Sequence, residues 1–214
     1  QRVNTTEWGN LIRINSSQRL THTWENPSYG SPSSRGSHHW LTNYEIPTAS
    51  YVVEADFYNA GVFSEYEDLE QVGGSSTVHP NGTITQAGYL RPNITAQIGG
   101  RSTLGNYNGY NLLYNQLNAQ WQLRKFIAGV VQTVPGIQTY FDIIPVGVSR
   151  KAQLVMAGYW IEGWIDGVCR LRFRDEGVNS FSDPGELFLR FDHFDADYTN
   201  NEFPTKGIHL DNFR

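Results

Sequence analysis

Residues Gly158-Tyr-Trp-Ile-Glu-Gly-Trp-Ile-Asp-Gly-Val-Cys-Arg-Leu-Arg-Phe-Arg174 decide the fold. Apolar and polar side chains alternate on both sides of Asp166-Gly167, the pattern of two half-buried strands joined by a tight turn. The length of that turn fixes the faces, because a slip of one residue moves every inward side chain outward. A two-residue loop sets Trp164 opposite Cys169 and Glu162 opposite Leu171, and mixes charge with hydrocarbon on both faces. A three-residue loop, with Gly167 in a left-handed bulge, groups Trp160, Glu162 and Trp164 with Arg170, Arg172 and Arg174. Ile161, Cys169, Leu171 and Phe173 are then left for the core. Burying an unpaired carboxylate is costly, so the odd loop is the expectation. It joins Gln153–Ile165, read as one strand, to Val168–Arg174.

Outward from this hairpin the same signals recur. In Tyr51-Val-Val-Glu-Ala-Asp-Phe-Tyr58, Tyr51, Val53, Ala55 and Phe57 share one face, while Glu54 and Asp56 share the other. Further strands are expected at Asn10–Ile14, Ser17–Thr23, Ala87–Tyr89, Thr95–Gly99, Asn111–Tyr114, Glu186–Phe191 and Gly207–Phe213. Asn115–Val131 fits a helix, and its Trp121–Ile127 portion fits an alternating strand equally well. Asn26–Ser37 and Glu65–Gly82 read as long loops. The sum is an all-β, two-sheet antiparallel sandwich forming one domain over residues 1–214.

The bulk properties exclude several classes. Sixteen Lys and Arg against 21 Asp and Glu give a net charge of −5, which is no footprint for nucleic acid. No apolar run approaches the ~20 residues of a membrane helix. One cysteine, Cys169, permits no internal disulfide. Aromatics at 14% and charged residues at 17% suit a turn-rich β-protein. Four Asn-x-Ser/Thr triplets, at Asn4, Asn15, Asn81 and Asn93, are close to chance in a chain this rich in Asn, Ser and Thr. The chain starts at Gln1, as does a processed product, a fragment or a chain whose first residues are not shown.

An ordered series of motifs runs through almost the whole chain. It begins with Trp8, Tyr51-x-Val-Glu-Ala-Asp-Phe57, Gly100-Arg101 and Asn108-Gly-Tyr110. It continues with Trp121-x-Leu-x-Lys125, Gly129 and the Gly158–Gly167 stretch. It closes with Asp175, Gly185-x-Leu-x-Leu-Arg190 and Leu210-Asp-Asn-Phe213. This series resembles the concanavalin A-like lectin/glucanase superfamily, in the laminin-G-like form found in phage structural proteins and secreted modular proteins. The resemblance implies a jelly-roll sandwich, frequent glycan binding and, in many members, a structural calcium. It also implies one more β-element before the first tryptophan, which fits a missing N-terminal segment or one supplied by a partner chain.

Catalysis is not expected. Glucanases of the resembled superfamily use Glu-x-Asp-x-x-Glu on a strand; Glu54-Ala-Asp56 starts that pattern, but position 59 is Asn. Glu54 and Asp56 therefore read as a solvated strand face. No Gly-x-Ser-x-Gly elbow is present, and Cys169 reads as a buried structural thiol. No cofactor is required. Asp192, Asp195 and Asp197 space carboxylates in what reads as a loop, suited either to calcium or to a plain polar turn. The resemblance adds Asp211 as a second calcium candidate. For ligand contact the candidates are Trp160, Trp164, Arg170 and Arg172, with Arg101, Tyr107 and Tyr110 as a second group. Tryptophan and tyrosine stack on sugar faces and arginine bonds hydroxyls, yet the same residues anchor protein interfaces.

The expected function is a non-enzymatic lectin-like module. Given the resemblance, the first reading is a phage or virion structural protein, a capsid decoration or tail-associated subunit, working through assembly and glycan contact. Its partners are other virion subunits or further copies of itself in a homo-oligomer. A carbohydrate-binding module of a secreted or cell-surface protein is the alternative, and a glycan-cleaving enzyme ranks third. The expected location is a virion or the extracellular space, with no nucleic-acid or membrane partner.

Overall fold

The computed structural model describes residues 11–14, 20–23, 35–61, 77–78, 84–85, 93–103, 108–176, 180–181, 183–194 and 207–214. In chain order the strands are β1 (Leu11–Ile14), β2 (Leu20–Thr23), β3 (Arg35–Glu45), β4 (Tyr51–Gly61), β5 (Thr77–Val78), β6 (Ile84–Thr85), β7 (Asn93–Thr103), β8 (Asn108–Asn115) and β9 (Gln120–Ile127). They continue with β10 (Val130–Gln132), β11 (Gly136–Ile137), β12 (Thr139–Phe141), β13 (Ser149–Ala157), β14 (Trp160–Ile165), β15 (Val168–Arg174), β16 (Glu186–Phe194) and β17 (Gly207–Asp211). Among the described residues there is no helix, so none that could cross a membrane.

Two antiparallel sheets make the body. One has eight strands in the order β1-β2-β17-β4-β13-β14-β15-β11, and the other runs β10-β9-β8-β7-β16-β3 with β12 also on β9. β5 and β6 pair separately. The core lies between the sheets, built from Val53, Ala55 and Phe57 of β4, Ile161 and Leu171 of the decisive hairpin, and Leu112, Tyr114, Trp121 and Leu123 of the facing sheet. Trp121 is fully buried. Its ring meets Phe57 edge-on at 4.8 Å and Tyr114 at 4.9 Å. The segment that fitted helix or strand is thus resolved as strand β9, with Trp121 and Leu123 inward and Gln122 and Arg124 outward.

Buried amides tie the layers. Asn59 donates to the Ile144 carbonyl at 2.6 Å and accepts from Gln116 at 3.0 Å, and Gln116 also donates to the Gly61 carbonyl at 2.8 Å. Buried polar groups persist only when so satisfied.

The structure corrects the expected hairpin in two ways. Gln153–Ile165 is not one strand: β13 and β14 fold back on each other, with Ala157 opposite Trp160. Gly158 turns the chain at φ 58, and a glycine followed by one residue between alternating runs is the overlooked signal. The Asp166-Gly167 loop has two residues, not three, because Ile165 faces Val168. Both turn residues have positive φ, 48 and 78, as this tight turn requires. Parity is reset farther on. Trp164 pairs with Cys169 but Gly163 pairs with Leu171, so Arg170 is an extra residue in a β-bulge. Beyond it Glu162 faces Arg172 and Ile161 faces Phe173, as the odd loop was meant to achieve.

Other differences are local. β3 begins inside the expected loop Asn26–Ser37, and β5 lies inside Glu65–Gly82. The expected strand Ala87–Tyr89 lies outside the described residues.

A Cβ at Gly167 would meet nothing within 4 Å, so Gly167→Ala isolates the cost of left-handed backbone. The variant is expected to lose about 1–2 kcal/mol of stability, read as a lower midpoint in chemical denaturation.

Candidate functional site

The outer face of β14 and β15 brings together Trp160, Trp164 and Arg172 of the first group of candidates, whereas Arg170 reaches Tyr140 of the facing sheet. Trp160 is 37% exposed. The Arg172 guanidinium lies 3.8 Å from its ring centroid and Arg174 lies 5.5 Å away, a cation–π stack. Glu162 organises the centre: one oxygen is 3.0 Å from Arg172 Nε, and the other accepts the Trp164 indole N–H at 2.8 Å. Trp164 is half-buried beside it. The bulge residue Arg170 stacks over Tyr140 at 4.9 Å, and Arg174 pairs with Glu176. Two arginines on this face are matched by carboxylates, while Arg170 meets a ring.

Cys169 needs correction. Opposite Trp164 it lies on this outer face and is partly exposed, because the two-residue turn pairs it with Trp164 before the bulge resets the register. Burial, and then the Glu162 charge, push its thiol above the usual range.

The second group is not a surface. Tyr110 is fully buried. Its hydroxyl donates to Asp175 at 2.5 Å and accepts the Phe181 N–H at 3.0 Å. Asp175 also binds Lys125 Nζ at 2.7 Å, both being 6% exposed. This network joins β8 and β9 of one sheet to the end of β15 in the other. Burial, then the bond to Asp175, raise the Tyr110 hydroxyl far above its ordinary value. Arg101 is also buried, donating to the carbonyls of Ala49 and Phe181 at 2.7 Å each. Both were expected to meet ligand. They are instead held inward: Asp175 and the Phe181 N–H satisfy the Tyr110 hydroxyl, and two backbone carbonyls take Nε and Nη1 of Arg101, whose Nη2 is buried with no partner among the described residues. Tyr107 lies outside the described residues.

Glu54 is likewise not a solvated carboxylate. It is 8% exposed and is bonded by Gln153 at 2.6 Å, Arg214 at 2.6 Å and Lys151 at 3.2 Å. The terminal residue reaches it because Arg214 and Glu54 exchange backbone hydrogen bonds across the sheet. Asn59, where the glucanase pattern has its second acid, points into the core and ties the layers.

For metal, Asp192 falls in strand β16, not in a loop, and Asp195 and Asp197 lie outside the described residues. Asp211 faces Asp56 across β17 and β4, with Asn212 donating to both carboxylates at 2.8 and 2.7 Å. Calcium takes about 6–8 oxygens, and among the described residues no three acidic, His or Cys side chains converge. The described donors do not make a calcium cage.

A polar row was missed by sequence reasoning. On the outer face of β7, β8 and β9, Gln97 and Asn111 are buried and bonded to each other, Gln97 donates to Thr95 at 3.1 Å, and Arg124 bonds Gln122 at 2.9 Å. Asn111 Oδ1 has no partner among the described residues. No signal in the sequence distinguishes this row from ordinary outward positions of a sheet.

No protein-family model matches the chain, and no curated protein matches it in sequence. Solved structures do match in fold. A Bacillus subtilis protein of unknown function with a galectin-like fold aligns over 96% of this chain and 84% of its own at 11% identity and a TM-score of 0.51. The carbohydrate-binding module CBM66 from Bacillus subtilis aligns over 75% and 81% at 13% identity and a TM-score of 0.48. A Bacillus licheniformis β-glucanase aligns over 93% and 78% at 10% identity and a TM-score of 0.47. The two-sheet antiparallel jelly roll is thus a galectin-like fold.

Burial pushes the Glu54 carboxyl up, but the hydrogen bonds from Lys151, Gln153 and Arg214 outweigh it and leave the pKa below its ordinary 4.5. A carboxylate with a depressed folded pKa stabilises fully above the unfolded value and loses that contribution as pH falls through the folded one. Denaturation of the wild type and Glu54→Gln across pH is expected to show a gap at neutral pH that closes below about pH 4.3.

Proposed function

We propose that the protein is a non-enzymatic, lectin-like module that binds glycan through the outer face of β14 and β15. The observation that carries this reading is the exposed Trp160 held upright by Arg172 and Arg174 beside Glu162. A large aromatic with arginines on a sheet surface is a contact site more readily than an inert one. The exposed indole offers its ring to the C–H face of a sugar. The guanidinium groups offer fixed donors to hydroxyls and to the carboxylates of acidic sugars. Glu162 preorganises the set, which lowers the ordering cost of binding. The non-enzymatic reading is supported by Glu54, whose carboxylate is saturated by three donors, and by Asn59 in place of an acid; glycosidase chemistry needs two free carboxyl groups about 5–10 Å apart.

We place the module on a virion or outside the cell, and as a first setting on a phage particle as a capsid decoration or tail-associated subunit. The laminin-G-like motif series supports that setting, and so does a run of exposed apolar side chains from Val130 to Val146 that suits packing against other subunits. A particle gene neighbourhood, or recovery of the chain with assembled particles, tests it.

Glycan binding is tested on a panel of neutral and uronic-acid polysaccharides by calorimetry. Trp160→Ala and Arg172→Ala are each expected to weaken binding about tenfold or more, ~1.4 kcal/mol, with an unchanged thermal midpoint for Trp160→Ala. Silence of the wild type across the panel, or release of shortened glycan, would count against the reading.

A further inference from the structure

The buried group of Lys125, Asp175 and Tyr110 holds an amine against a carboxyl group in the interior. Lys125 lies on β9 of the seven-stranded sheet, and Asp175 directly follows β15 of the eight-stranded one. Each side chain is 6% exposed. Nζ stands 2.7 Å from Oδ2 and 2.9 Å from Oδ1, so it faces the carboxyl carbon between them. The surroundings are aromatic. The Phe181 ring centroid is 5.4 Å from Nζ, and the Tyr110 ring packs against Phe181 at 5.6 Å and Phe173 at 5.9 Å.

An ammonium group is a donor only, with every proton to place. Among the described residues Lys125 bonds this one carboxylate and otherwise meets a ring. No other cation takes Asp175, because the nearby Arg101 guanidinium is held by the carbonyls of Ala49 and Phe181. Two opposite charges are therefore kept out of water with few bonds to offset the lost hydration. Passing one proton from Nζ to the carboxylate gives a neutral amine and a carboxylic acid, the two reactants of an amide.

We propose that Lys125 and Asp175 condense into an intramolecular isopeptide bond that joins the two sheets covalently. Nζ attacks Cγ, the Nζ–Cγ bond forms and the Cγ–Oδ1 bond breaks. Of the ammonium protons, one stays on the amide nitrogen and the others leave with Oδ1 as water. The two charges cancel, and neither an oxidant nor another reagent enters. Oδ2 remains as the amide carbonyl oxygen. The Tyr110 hydroxyl, which donates to Oδ2 at 2.5 Å, stabilises the negative charge that this oxygen gathers during the addition. The hydroxyl is itself fixed by the Phe181 N–H at 3.0 Å. Groups held in contact by a fold react as though at concentrations of about 10⁵–10⁸ M, and the water formed passes to bulk solvent. The bond closes a loop across the sandwich, the service a disulfide performs, in a chain whose single cysteine allows no internal disulfide.

Mass spectrometry of the denatured whole chain tests this. The wild type, once folded, is expected to be lighter than its sequence by one water. Its digest is expected to contain a branched peptide linking Lys125 to Asp175, which separates this loss from cyclisation elsewhere in the chain. Lys125→Arg keeps a cation beside Asp175 but offers no reactive amine, and Asp175→Ala removes the carboxyl group. Both are expected to keep their full sequence mass and to migrate more slowly than the wild type in denaturing electrophoresis. Tyr110→Phe keeps the ring and loses the hydroxyl. It is expected to slow closure about a hundredfold, read as the linked fraction against time after synthesis. The wild-type measurement decides the matter even where a variant fails to fold. A wild type of full sequence mass after prolonged incubation, with a folded circular dichroism spectrum, overturns the proposal. So does a loss of water without the branched peptide. Closure of Tyr110→Phe at the wild-type rate overturns the role given to Tyr110.

Discussion

The extra residue at Arg170 is the constraint on which the two faces of the eight-stranded sheet depend. Asp166-Gly167 imposes a two-residue turn, because both residues accept positive φ and the turn's twist matches that of the flanking strands. Carried outward without interruption, that register would put Glu162 against Leu171. The bulge absorbs one residue and inverts the parity of β15 beyond it. Leu171 and Phe173 then enter the core with Ile161, and Arg172 meets Glu162 in the open. The Trp160 stack and the reach of Arg170 to Tyr140 of the facing sheet follow from this single insertion, while the exposure of Cys169 follows from the turn itself.

The layers are held by more than hydrocarbon. Lys125, Asp175 and Tyr110 form a closed polar group spanning both sheets, and Asn59 with Gln116 forms a second. Removing one partner of a buried ion pair costs about 3–5 kcal/mol, because the other charge is left unpaired. Such groups fix which layer faces which, a role hydrophobic packing alone performs less specifically. They also account for residues whose chemistry looks functional in isolation. Tyr110 and Asn59 belong to the architecture because their polar ends are satisfied inside it, and Arg101 because two backbone carbonyls hold its guanidinium in the interior.

Two exposed surfaces lie outside these groups. The face of β14 and β15 presents an aromatic fixed by cations and a carboxylate, and the segment from β10 to β12 presents uncharged hydrocarbon. Both are formed by elements anchored in the core: Ile161 and Leu171 beneath the first, Val134 and Tyr140 beneath the second. A surface held rigid in this way loses little freedom when a ligand or another subunit settles on it.

Alternation along Tyr51–Tyr58 was sufficient to orient β4, and the charge pattern of Gly158–Arg174 was sufficient to separate Trp160, Glu162 and Arg172 from Ile161 and Phe173. Those features are local, set by a period of two residues and by the cost of burying charge. The sequence therefore determined the fold class, the inner and outer faces of the central hairpin and the first candidate surface. It could not determine where parity is restored, since a longer turn and a bulge at Arg170 leave Glu162, Arg172, Ile161, Leu171 and Phe173 on the same faces and differ only next to the turn, at Cys169 and Arg170. Nor could it show that Arg214 closes over Glu54, 160 positions away along the chain, or that Asp175 draws Lys125 and Tyr110 inward. Those outcomes depend on which strands become neighbours, and strand neighbours are chosen by packing across the whole sandwich. Only the tertiary structure decided them, because a side chain's polar end is free or consumed according to what the distant chain brings to it.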